Sequence, residues 1–136
     1  MTKTALENGR AHVAAMNPEL ESILSGRYDA LVPGMAESVV EWAYGRHYAR
    51  GGVDGKTRQL CTIAALTAMG GWTAPQLKVN IDHTLTAGAT PQEIAEVIWQ
   101  MAVYSGLPSA INGLNAAIEV FDTLPVQATP AAPGSA

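Results

Sequence analysis

The sequence predicts an all-α, helical fold. Apolar residues recur at helical spacing along most of it, as in Ile94, Val97, Ile98, Met101 and Tyr104. Runs of this kind open on capping residues and close on glycine, as at Thr90-Pro91-Gln92-Glu93 and Gly70-Gly71. Almost no stretch alternates apolar and polar residues as a half-buried strand does.

Residues 1–16 are alanine-rich, with Leu6, Val13 and Met16 as the apolar points of a first helix. Asn17-Pro18-Glu19 restarts the chain with an N-cap, a first-position proline and a first-turn acid. The helix after it is expected to reach about Leu24 and stop at Gly26. Past Val32-Pro33-Gly34, a helix from about Met35 to Tyr48 should bury Met35, Val39, Trp42 and Ala43 on one face. Gly51-Gly52 ends it, and Asp54 caps the next segment, Thr57 to Met69. That segment is apolar on nearly every side, so it is expected to be central and buried on several sides.

Thr73-Ala74-Pro75-Gln76 has the spacing of a capping box. The helix it opens places Leu77, Ile81, Thr84 and Leu85 on one face and stops at Gly88. Thr90 to Glu93 opens the next helix, and Pro108 opens the last, with Ala110, Leu114, Ala117, Ile118 and Phe121 in one stripe. From Pro125 to Ala136 there is too little apolar area to offset ordering entropy. One all-α domain over 1–124 and a flexible tail over 125–136 are therefore expected.

Composition narrows the function. Charged residues are 15% of the chain, below the roughly 25% of an average globular protein, which points to surface hidden in subunit contacts. A net charge of −4 gives no basic footprint for nucleic acid and argues against an anionic membrane surface. Cys61 is the single cysteine, so an intrachain disulfide, a Cys-x-x-Cys pair and a zinc site of several cysteines are excluded. The N-terminus lacks the basic start and apolar run of a signal peptide, and no stretch reaches the ~20 apolar residues of a membrane span. A cytoplasmic protein is the expectation.

Chemistry has a few candidate carriers. Gln76, Asn80 and His83 fall to one side of the Leu77 face, as a polar stripe flanking the core, and a histidine there can move a proton near neutral pH. An ordinary interface histidine fits as well. Arg58 begins the most apolar helix, where a permanent cation that binds carboxylate in a fork suits an anionic substrate. A salt bridge to Asp54, Glu93 or Glu96 is its structural alternative. Glu93 already serves the Thr90 cap, and Glu96 reads as a solvated acid. Tyr104 lies on the apolar stripe, where it lines a pocket or packs in the core. Cys61 reads as a buried, inert small hydrophobe. His12, His47 and His83 show no metal-binding spacing, so no metal site is expected.

Several of these residues form a pattern: Thr57, Arg58 and Leu60; then Gly88, Thr90, Glu93, Ile94, Glu96 and Val97; then Tyr104, Gly106 and Pro108. In this pattern, over roughly Ala30 to Phe121, the chain resembles the carboxymuconolactone decarboxylase family, relatives of alkylhydroperoxidase D. The resemblance implies an all-α subunit that assembles into trimers or hexamers, and a decarboxylation that needs no cofactor. Where decarboxylases of the family tend to carry histidine, this chain has Asn80 and Gln100.

A lyase acting on a small carboxylated or lactone metabolite is the leading reading. Arg58 would hold the anion, Asn80 would donate to a carbonyl and His83 would be the acid or base, with Gln100 and Tyr104 as further substrate contacts. The partners expected are a small anionic metabolite and further copies of the chain, with neither nucleic acid nor membrane. A non-catalytic oligomeric scaffold is the second reading. A thiol-dependent antioxidant is the third, disfavoured by the single cysteine.

Overall fold

The computed structural model describes residues 2–125, so the expected tail lies outside the described residues apart from Pro125. Among them the chain is all-α, with no strand. The helices are α1 (Ala5–Met16), α2 (Leu20–Tyr28), α3 (Met35–Val39), α4 (Gly55–Ala68), α5 (Ala74–Thr86), α6 (Pro91–Ser105) and α7 (Leu107–Phe121). α3 runs directly into a π-helix, Val40–Tyr48, and a 3₁₀ turn, Gly71–Thr73, precedes α5.

Local chemistry accounts for most helix starts. Thr4 with Glu7, and Thr90 with Glu93, form reciprocal capping boxes that satisfy two orphan amides each. Asp54 accepts from the Thr57 amide at the start of α4. Thr73 departs from its expected box. Its hydroxyl donates back to the carbonyls of Leu66 and Gly70 instead, tying the 3₁₀ turn to the end of α4. Gly26 does not stop α2, which continues to Tyr28.

The helices form two lobes. α4 to α7 enclose the larger core, where Ile63, Ile81, Ile94 and Ile98 are fully buried with Leu77 and Ala117. Burying each isoleucine contributes roughly 1.5–3 kcal/mol. α1, α2, α3 and the π-helix share a smaller core of Val13, Leu20, Val40 and Tyr44. Within this lobe α1 and the π-helix touch backbone to backbone. A Cβ on Gly45 would stand 1.9 Å from the Ala5 carbonyl oxygen, and one on Gly9 2.2 Å from that of Val40. Between lobes the helices approach at only a few points, and the seam is filled by polar and aromatic side chains.

Two expected faces are rotated. From α3 through the π-helix Ala36, Val40 and Tyr44 are buried, Val39 and Ala43 pack half-buried against that core as expected, and Trp42 is exposed. A π-helix needs more residues per turn than an α-helix, so α-helical spacing misplaces its inner face. α4 buries Gln59, Ile63 and Thr67, while Cys61 is exposed. Cys61 stands two residues, about 200° around the helix, from both Gln59 and Ile63, and so points away from the core. Tyr104 and Ile118 are also exposed rather than packed in the core.

Candidate active site

The N-terminal end of α4 meets the end of the π-helix at one edge of the seam. A cleft of about 290 Å³ opens there, with His47 and Tyr48 on one wall and Arg58, Cys61 and Thr62 on the other. Val53 and Thr57 also line it. Arg58, Cys61 and Thr62 share one helix face because they lie three and four residues apart. Tyr48 hydrogen-bonds Thr62 Oγ1, and that hydroxyl donates to the Arg58 carbonyl at 3.1 Å, pinning the wall bearing Tyr48 to the one bearing Arg58.

The Arg58 guanidinium has no carboxylate within salt-bridge distance among the described residues. Glu93 pairs with Lys56 instead, at 2.8 Å, and that ion pair with the Thr90 cap holds the Glu93 carboxyl below the usual range. Arg58 Nη2 donates to the Gly51 carbonyl at 2.8 Å, and Nε is buried without a partner. A half-buried cation, fixed on one edge and unneutralised, is arranged to receive an anion. A larger groove of about 660 Å³ lies between the start of α6 and the end of α7, but its one charged side chain is Asp122, which repels an anion.

His83 does not lie on an open polar stripe. It is buried, 2% exposed, and faces the first lobe. The Asn17 amide donates to its Nε2 at 3.1 Å, which leaves the ring proton on Nδ1, buried and unpartnered. Burial, with His12 as a smaller influence, pushes its pKa down to about 4. The ring meets Tyr44 edge-on, and Tyr44 stacks on both His12 and Tyr48. This aromatic column fills the seam behind the cleft.

The other candidates are dispersed. Asn80 spends one amide proton on the Gln76 carbonyl within its own helix, at 2.9 Å. Gln100 and Tyr104 are exposed on the outer side of α6, beside Trp99 and Val103. Of the candidate set only Arg58 lines the cleft; Asn80, His83, Gln100 and Tyr104 do not. The structure adds His47, Tyr48 and Cys61. Arg58, Cys61 and Thr62 carried a signal in their spacing, whereas His47 and Tyr48 reach the cleft by the π-helical register. No group of three His, Cys, Asp or Glu side chains able to hold a metal forms among the described residues. Among the described residues no helix is long and apolar enough to cross a membrane.

Comparison with known proteins places this architecture. Residues 33–119 match the model of the carboxymuconolactone decarboxylase family. The chain belongs to the carboxymuconolactone decarboxylase family. It is 39% identical over 116 residues to an uncharacterized 15.0 kDa protein of Paracoccus denitrificans from the nqo9-nqo10 intergenic region, covering 85% of this chain and 87% of that one. It is 34% identical over 82 residues to a nitrosuccinic acid decarboxylase of Metarhizium robertsii, covering 60% and 55% of the two chains. It is 33% identical over 86 residues to a 4-carboxymuconolactone decarboxylase of Acinetobacter baylyi, covering 63% of each. The family match begins after α2, so His12 and Asn17, which build the seam around His83, lie outside it.

Proposed function

We propose that the protein is a cofactor-free carboxy-lyase acting on a small carboxylate whose carbanion, after loss of carbon dioxide, delocalises into a neighbouring carbonyl. The observation that carries this is the unneutralised Arg58 in a cleft the size of a small metabolite. Two relatives named as decarboxylases support the reaction class. Arg58 holds the anion and stabilises charge that develops on the carbonyl oxygen. Carbon must then be protonated, and His47, on the opposite wall, is the group placed to do so. Asn80 and His83, which the sequence put forward for the carbonyl and the proton, are not among the residues that line the cleft. In this reading the neutral, enclosed His83 holds the seam through Asn17.

Self-association completes the picture. Trp99, Val103 and Tyr104 of α6 and Leu107 and Ile111 of α7 are each about half exposed or more, on a chain with little surface charge. We propose that these outer faces join copies into a trimer or hexamer, with Gln100 and Tyr104 at the contact. The enzyme is expected to work in the cytoplasm.

The test is carbon dioxide release from a panel of small β-carbonyl and lactone carboxylates, with thermal-shift binding of the same acids. Arg58→Ala should weaken binding roughly ten- to a hundredfold, since a charge-assisted hydrogen bond contributes about 1.5–3 kcal/mol. His47→Gln should lower kcat more than it raises KM. Carboxylates that bind Arg58→Ala as well as the native protein would refute the assignment of the cleft.

A further inference from the structure

A second cavity, of about 180 Å³, lies at the seam between the lobes and has no part in the lyase reading. His12 and Met16 of α1 line one side; Gly55 and Gln59 of α4, with Thr86 and Ala87 at the end of α5, line the rest. It shares no lining residue with the Arg58 cleft. Its α1 wall lies outside the residues that match the family model. The side chain that marks it is Gln59, only 2% exposed. A buried carboxamide needs a donor for its oxygen and acceptors for its amide protons. Gln59 Oε1 stands 3.5 Å from Thr84 Oγ1, but that hydroxyl has one proton and gives it to the Asn80 carbonyl at 2.6 Å. Gln59 Nε2 meets only the Met16 sulfur, a weak acceptor, at 3.5 Å. Turning the amide over would set its oxygen against that same sulfur, which has no proton to give. Either way the buried oxygen lacks a donor, and the cavity it lines has room for one.

We propose that this seam cavity is a binding site for a small uncharged carboxamide or lactam, held by Gln59 and distinct from the Arg58 cleft. The chemistry of the walls decides the class of ligand. No carboxylate and no permanent cation lines the cavity. Burial holds the His12 pKa below its ordinary value, so that ring is neutral at neutral pH. A charged ligand would shed its water there without meeting a counter-charge. An amide with its N–H beside its carbonyl fits Gln59 on both counts. Its N–H reaches the Gln59 oxygen while its carbonyl receives the Gln59 amide, two parallel hydrogen bonds at once. The occupied cavity touches both lobes, at a seam where the helices approach at only a few points. A bound ligand therefore ties α1 to α4 and α5, alongside the Asn17–His83 hydrogen bond. The proposal does not rest on the lyase reading.

The experiment titrates the native protein with rings of one shape: pyrrolidinone, whose N–H stands beside its carbonyl; butyrolactone, with a ring oxygen in place of that N–H; and N-methylpyrrolidinone, whose nitrogen is blocked. The readout is the NMR signal of the isotope-labelled Met16 methyl, which lines the cavity and is assigned with Met16→Leu. Pyrrolidinone should shift it saturably, in the millimolar range expected of so small a ligand. The lactone and the N-methyl lactam should bind roughly five- to tenfold more weakly, because each leaves the Gln59 oxygen without its donor. Gln59→Leu, apolar and of similar size, should erase that preference. The comparison of the rings on the native protein stands even where the variant does not fold. Malonate, a small dicarboxylate suited to Arg58, should neither shift Met16 nor displace pyrrolidinone, so this site and the lyase reading fail separately. Equal binding of lactam and lactone, or a preference that Gln59→Leu keeps, would overturn the proposal. A Met16 signal that ignores every ring would overturn it too, and would leave Gln59 served by water alone.

Discussion

Acid should loosen the seam between the lobes through His83. Its Nε2 is taken by Asn17, and the neighbours facing it are His12, Asn17 and Tyr44, none of which offers a negative charge to an imidazolium. Burial therefore keeps the folded state neutral down to about pH 4, against 6.5 for an unperturbed histidine. Between those values the unfolded chain binds more protons than the folded one, so stability rises with pH. The contribution is complete above about pH 6.5 and is lost as pH falls towards 4. The gap corresponds to about 3 kcal/mol, a large share of the roughly 5–15 kcal/mol that holds a typical domain folded. His12, lowered by its own burial, acts in the same direction. Urea unfolding at pH 7 and pH 4.5 measures the effect, with His83→Gln as the comparison because glutamine still offers Asn17 an acceptor. The stability lost on acidification should be smaller in the variant by about 2–3 kcal/mol. Equal acid sensitivity in both proteins would show that His83 is not a buried neutral group in solution.

Gly45→Ala should cost more than about 2 kcal/mol in chemical denaturation despite the better helix propensity of alanine, because the new methyl meets rigid backbone of α1. Gly26→Ala, with nothing within 4 Å of the added carbon, should instead stabilise by about 0.5–1 kcal/mol. Thr90→Ala removes one half of the capping box and should lower stability by about 1 kcal/mol in the same assay. Val103→Glu, on a residue 78% exposed, should leave the subunit folded and break the proposed oligomer, as read by light scattering after size exclusion.

Features written in a few neighbouring residues were legible in the sequence. Thr90, Pro91 and Glu93 specify a helix start within four positions, and the structure forms that cap. Ile94 and Ile98 sit inward, as their spacing requires. Features that depend on distant partners were not. Whether Thr73 caps forward or bonds back depends on the end of α4 lying within reach. The apolar neighbours of Cys61 along the chain suggested burial, but the core reaches only the face of Gln59, Ile63 and Thr67. His83 looked like a group flanking the core because α5 alone does not reveal that Asn17, sixty-six residues earlier, covers it. Arg58 was legible as a cation near the core helices, whereas its lack of a carboxylate partner emerges only once Lys56 has claimed Glu93.

The π-helix makes the opposite wall of the cleft sensitive to chain length rather than to side-chain identity. Val40–Tyr48 carries His47 and Tyr48 to Arg58 by a winding that needs more residues per turn than the α-helix before it. Removing one residue from that stretch would let it relax into ordinary α-helix and turn its last residues by about 100°, with the loop before α4 taking up the change. Tyr48 would swing off Thr62 and His47 out of the cleft, while every residue of α4 stayed where it is. Within the family, a length change at this one segment is a route by which the same Arg58 wall could face a different companion surface without any substitution on α4.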